Sequence, residues 1–141
     1  MELLPALAIS ASGLTAERLR LDIIANNLAN INTTRTPRGG PYRRQVPVFA
    51  EKLQEALKPA GAQFKGAGVE VAAIVEDNTP PRRVYDPSHP DAGPDGYVAL
   101  PNINVVNEMV DMITATRAYE ANITVLNAAK AMTLKALEIG R

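Results

Sequence analysis

With 141 residues, fifteen basic and fifteen acidic side chains and a formal net charge of zero, the chain has room for one ordinary domain and lacks the basic surface that nucleic acid or an anionic membrane needs. The absence of cysteine excludes disulfides, thiolate metal sites and a cysteine nucleophile together. Four Tyr, two Phe and no Trp are a small supply of large core side chains, which places much of the apolar surface on helices rather than in a globular centre.

The first predicted element is a helix from Pro5 to about Ile31, with proline tolerated in its first turn and Gly13 inside it. Leu7, Leu14, Leu21 and Leu28 recur every seven residues, with Ala11, Ile24, Ala25 and Ile31 three or four positions away, a coiled-coil-like stripe that Glu17 interrupts. At about 100° per residue the other side collects Ala8, Ser12, Thr15, Ala16, Leu19, Ile23, Asn26 and Asn30, none of them charged. Between Leu3 and Thr34 the only charges are Glu17, Arg18, Arg20 and Asp22. A helix uncharged nearly all round is a buried helix, and a single partner helix covers only one of its faces. Its end, "ANNLANINTT" at residues 25–34, crowds Asn26, Asn27, Asn30 and Asn32 together, although asparagine competes for backbone groups inside helices. Asn26 and Asn30 share the uncharged back face and Asn27 flanks it, so these amides are expected to face neighbouring subunits and to fix register there. Glu2 stands where a secretory signal would be basic, and Pro5 breaks the short run "LLPALAI". No cleaved signal peptide is expected, so work outside the cytoplasm requires another export route.

Between Thr33 and Asn104 lie every proline except Pro5 and every glycine except Gly13 and Gly140. Here "YRRQVPVF", "GVEVAAIVED", "RRVYDP" and "GYVALP" read as short strands bounded by turn residues, forming a small antiparallel sheet or hairpins. "AEKLQEALK" at 50–58 reads as a short helix or a loop. His89 in "DPSHPDAGPD" sits near Asp86, Asp91 and Asp95; a lone histidine without cysteine or helical spacing favours a rigid loop with Asp-capped turns over a metal site or general base. Arg35, Arg38, Arg43 and Arg44 cluster around "PRGGPYRR". Without a stacking-rich surface they suit acidic groups of a neighbouring subunit better than nucleic acid, and the Gly-Gly pair lacks the spacing of a phosphate loop.

From Val105 to Leu137 there is neither Pro nor Gly, with Pro101 and Gly140 as start and stop signals, giving a helix of roughly 50 Å. Its heptad stripe runs Val105, Met109, Met112, Thr116, Tyr119, Ile123, Leu126, Thr133 and Leu137, interrupted by Lys130. The expected fold class is α+β: long N- and C-terminal helices pair as an antiparallel coiled-coil-like stalk, with a small β-rich insert at one tip. The expected division is 1–33 and 105–141 for the helical core and 34–104 for the insert. Ser10, Ser12 and Thr15 have no base at a recognisable spacing, and nothing assembles a base, a nucleophile and an oxyanion site; no catalytic residue, metal or cofactor is expected. A binding module using the helix pair as a docking groove is the remaining alternative, and the uncharged back face suits repeated helix packing better than a single partner.

"ANNLANINTT" resembles the N-terminal signature shared by the axial proteins of the bacterial flagellum, the rod, hook and hook-associated proteins. "GGPYRRQVPVF" at 39–49 and the C-terminal run from "VYDPSHPDAGPDGYVALPN" through "NEMVDMI" and "RAYEAN" to residue 141 are similar to the basal-body rod proteins of the proximal rod. The resemblance leaves out only about residues 50–68. It implies a non-enzymatic subunit that polymerises helically with itself and other rod proteins, links the membrane ring to the distal rod and hook, and leaves the cell through the flagellar type III export apparatus. It further implies terminal helices that face the axis of a tube and an inserted outer domain, with no nucleic acid or small-molecule substrate. On this reading the subunit-assembly interface is expected at Leu7, Leu14, Leu19, Leu21, Ile23, Asn26, Asn27, Leu28 and Asn30 on the first helix. On the second it is expected at Met109, Met112, Arg117, Tyr119, Glu120, Asn122 and Leu126. Arg117 and Glu120, three apart, have a surface ion pair as their simplest role.

Overall fold

The computed structural model describes residues 3–52 and 66–140. Helix α1 spans Leu3–Ala29 and helix α2 spans Val105–Ile139. They pack antiparallel: Gly13 lies against Asn122, Arg20 is 3.8 Å from Asp111, and Asn27 hydrogen-bonds Glu108. Helix α1 ends two residues before the expected Ile31, because Asn30 and its neighbours take over the closing bonds. Asn30 Nδ2 donates to the Asn26 carbonyl at 2.9 Å, and the Thr33 N–H donates to the Asn30 carbonyl at 3.1 Å. Helix α2 starts where Asn104 Oδ1 accepts the N–H groups of Val106 and Asn107 at 3.0 and 3.3 Å, satisfying donors that have no partner within the helix. At its far end the Gly140 N–H reaches the Ala136 carbonyl at 3.3 Å. Neither described helix is long and apolar enough to cross a membrane.

Four strands occupy the four predicted places: β1 Gln45–Glu51, β2 Val69–Glu76, β3 Arg82–Tyr85 and β4 Tyr97–Leu100. They form two separate antiparallel ribbons, β1 with β2 and β3 with β4. A bulge between Val48 and Phe49 shifts the register of the first ribbon, and its backbone lies beside α1. The second ribbon holds Tyr85 edge-on to Tyr97, ring centroids 5.2 Å apart, with the Arg83 guanidinium 5.1 Å above the Tyr97 ring. The "AEKLQEALK" segment lies outside the described residues, apart from its first residues, which finish β1 and the step after it.

The seam between the helices is not the expected leucine stripe. The buried side chains of α1 are Ser10, Ala16, Ile23, Ile24 and Asn27, and those of α2 are Glu108, Ala115 and Ala129. Leu7, Leu14, Leu21 and Leu28 are all half-buried, while Met109 and Leu137, members of the expected α2 stripe, are 53% and 66% exposed. Close approach is the reason: a Cβ added at Gly13 would meet Asn122 Nδ2 at 3.0 Å. Small residues let the backbones come together, and longer side chains are displaced to the edges of so narrow a seam.

Candidate assembly surfaces

The asparagines that close α1 form a polar junction inside the chain. Asn27 is 1% exposed. Its Nδ2 donates to the Gln45 carbonyl at 2.9 Å and to Glu108 Oε2 at 3.3 Å, and its Oδ1 accepts the Gln45 N–H and the Tyr42 hydroxyl, both at 2.9 Å. One side chain therefore pairs with both backbone groups of the first residue of β1, as a neighbouring strand would. Asn26 Nδ2 donates to the Tyr42 hydroxyl at 3.1 Å. Burial pushes the Tyr42 phenol above its ordinary value of 10.0, against the opposing effect of the Asn26 bond. Glu108 is also 1% exposed; its other oxygen is bonded by Arg44 Nε, and a second Arg44 nitrogen lies 3.5 Å from Asp111. Asn30 turns its amide back on Asn26 and accepts the Thr33 hydroxyl at 3.1 Å.

Two of the expected interface positions lie inside the single subunit. Asn27 and Ile23, the latter 5% exposed, are interior residues, because the β1–β2 ribbon and α2 cover the faces that a single-helix projection leaves open. Asn122 is half-buried against Gly13 and donates to the Ala118 carbonyl at 3.0 Å. Leu7, Leu14, Leu19, Leu21, Leu28, Asn30, Met112, Tyr119 and Leu126 are half-buried, and Asn26, Met109, Arg117 and Glu120 are exposed. Arg117 and Glu120 form no ion pair with one another. The arginine cluster finds its partners within the chain: Arg35 bonds Asp91, Arg38 bonds Glu76 at 2.9 Å, and Arg43 bonds Asn78 at 3.1 Å. His89 Nδ1 accepts the Asp91 N–H at 3.0 Å in a turn, and among the described residues no group of three or more potential metal ligands occurs.

Sequence reasoning missed Tyr42 and Glu108, and it pointed Arg44 at acidic groups of a neighbouring subunit where the structure pairs it with Glu108 and Asp111 of its own chain. Tyr42, placed in the expected strand "YRRQVPVF", lies in irregular backbone ahead of β1, and Glu108 reads as an ordinary first-turn acid on a helix. It likewise missed how much apolar surface α2 leaves bare. Val106 is 67% exposed, Val110 and Ile113 are both 55%, and Met132 and Leu134 are 56% and 53%. A face of this size on one helix marks an interaction surface.

Residues 7–35 match the family described as flagella basal body rod protein, and residues 95–139 match flagellar basal body rod FlgEFG protein C-terminal. The helix pair and these two matches define the class: a flagellar basal-body rod protein. Among the curated relatives, the flagellar basal-body rod protein FlgC of Borreliella burgdorferi is 48% identical over 99% of this chain and 98% of its own length. FlgC of Bacillus subtilis is 43% identical over 96% of this chain and 97% of its own, and that of Salmonella typhimurium 43% over all of both. The chain belongs to the FlgC family of flagellar basal-body rod proteins.

Proposed function

We propose that the chain is a structural, non-catalytic subunit of the proximal rod, polymerising helically with copies of itself and with other rod proteins. The observation that carries this reading is the bare apolar face of α2 in a chain of the FlgC family, a face that no described element of the subunit covers. In the assembled rod the helix pair lies toward the axis, forming part of the export channel wall, and the ribbons lie outward. The rod spans the periplasm and carries torque from the membrane ring to the distal rod and hook. The subunit reaches its place through the flagellar type III apparatus. Assembly contacts are assigned to the exposed and half-buried positions Met109, Arg117, Glu120, Leu19 and Leu126, with Asn26 at the edge. Electron microscopy of basal bodies from cells lacking this protein tests the reading. Ring structures without rods, in non-motile cells, are the expected result; intact rods and normal swimming would overturn it.

A further inference from the structure

We infer that Asn27, Arg44 and Glu108 form a register lock, which selects one axial alignment of α1 and α2 and ties the β1–β2 ribbon to that alignment. Helix α2 turns one seven-residue repeat toward α1: Glu108, Ala115, Asn122, Ala129 and Ala136, all buried or half-buried. Beyond Glu108 the repeat holds only alanine and one asparagine, and α1 carries its half-buried leucines at the same spacing, Leu7, Leu14, Leu21 and Leu28. Sliding α2 by one repeat, about 10 Å at about 1.5 Å per residue, returns small residues to small residues. Apart from Asn122 against Gly13, packing of these small residues leaves the alignment nearly degenerate.

The polar junction removes the degeneracy. Both Glu108 oxygens are used, one by Arg44 from the entry to β1 and one by Asn27 from α1. After a one-repeat slip, the buried Asn27 amide and the Arg44 guanidinium lose their acceptor, and leaving such groups unmatched is costly. A single buried polar side chain sets register in coiled coils for the same reason. The ribbon is included because its backbone lies beside α1 and not α2. Asn27 clips Gln45 at one end of it, and Ser12 Oγ accepts the Val69 N–H at 3.1 Å at the other. Among the described residues, Arg44 is the arm that ties this region to α2.

The lock is a property of the single chain, so its test is independent of the rod reading. The sequence has no cysteine, and Ala25 and Lys130 are exposed on α1 and α2. Nitroxide labels on the full chain carrying Ala25→Cys and Lys130→Cys therefore report the alignment as a distance, read by pulsed dipolar spectroscopy. The otherwise unaltered chain is expected to give one narrow distance. Arg44→Met with Glu108→Leu is expected to stay folded, since an apolar pair replaces the ion pair and the Asn27 amide, though it loses Glu108, keeps its bonds to Gln45 and Tyr42. It should also add a second population displaced by about 10 Å. A folded double variant with the single original distance overturns the inference. Should that variant lose its helical signal, Arg44→Lys decides: lysine keeps the charge but lacks the fork that spans Glu108 and Asp111, so a broadened distribution supports the lock and an unchanged one overturns it. Ile23→Ala, a destabilising change outside the junction, is expected to keep the single distance. A second population there also overturns the lock, because slippage would then follow from lost stability alone.

Discussion

At the scale of single residues, Asn27 stands out because four hydrogen bonds meet on one buried amide. Asn27→Ala leaves both Gln45 backbone groups and the Tyr42 hydroxyl short of a partner, and a loss of about 3 kcal/mol is expected from urea unfolding; a loss below about 1 kcal/mol would contradict the junction. The exposed neighbour Asn26, with a single bond to Tyr42, is expected to cost about 0.5–1 kcal/mol when replaced by alanine. Acid sensitivity resides elsewhere, in the turns that flank β3 and β4. The Thr34 hydroxyl and then Arg35 hold the Asp91 carboxyl below its ordinary 3.8, and Asp77, Asp86 and Asp95 are lowered by bonds from Thr79, Ser88 and the Tyr97 N–H respectively. A carboxylate whose folded value is depressed stabilises the fold fully above its unfolded value, and that contribution is lost as pH falls through the folded value. Stability is therefore expected to be flat above about pH 5 and to fall below about pH 4. Asp91→Asn should make that fall shallower in thermal unfolding between pH 2 and 5, and an unchanged slope would refute the role of Asp91.

At the scale of elements, the ribbon is held to α1 through a close approach that only glycine permits. Gly68 has φ of 103°, and a Cβ there would lie 2.1 Å from Ser12 Oγ, the atom that receives the Val69 N–H. Gly68→Ala is expected to destabilise the chain by about 2–3 kcal/mol, through left-handed backbone strain and displacement of Ser12, and to raise hydrogen exchange at Val69; unaltered protection of that amide would count against the contact. The existence and order of the six described elements were legible in the sequence. Alternation at period two in "GVEVAAIVED" and the long stretch without Pro or Gly after Asn104 are local signals, and so were the aspartate-capped turns around His89. The seam was not legible. Which heptad position faces the partner depends on how near the backbones come, and that is settled by Gly13 meeting Asn122, a contact between residues remote in sequence. The destination of the asparagines was hidden for a similar reason. A helical projection shows which face they share, but it cannot show that Gln45 and Tyr42 return to that face from an irregular loop.

At the scale of the whole molecule, the described buried polar side chains find partners within the subunit, except for one Glu17 oxygen, and much of the exposed apolar surface lies on α2. Val110→Glu with Ile113→Glu, two exposed positions one turn apart, is therefore expected to change the stability of the isolated chain by no more than about 0.5 kcal/mol while abolishing motility in cells that carry it as their sole copy; full swimming would remove this face from the assembly surface. The two helices also hold the ribbon unequally. Anchors at Ser12 and Asn27 fix it at two separated points on α1, whereas among the described residues α2 is reached only at its first two turns, through Glu108 and Asp111. A sideways push on the ribbon thus enters α1 as a couple between two separated points and α2 as a pull at one end. The first helix therefore takes the ribbon's load at two points, whereas the far half of α2, from Asn122 onward, is held by packing against α1, with Asn122 against Gly13 and Ala129 buried.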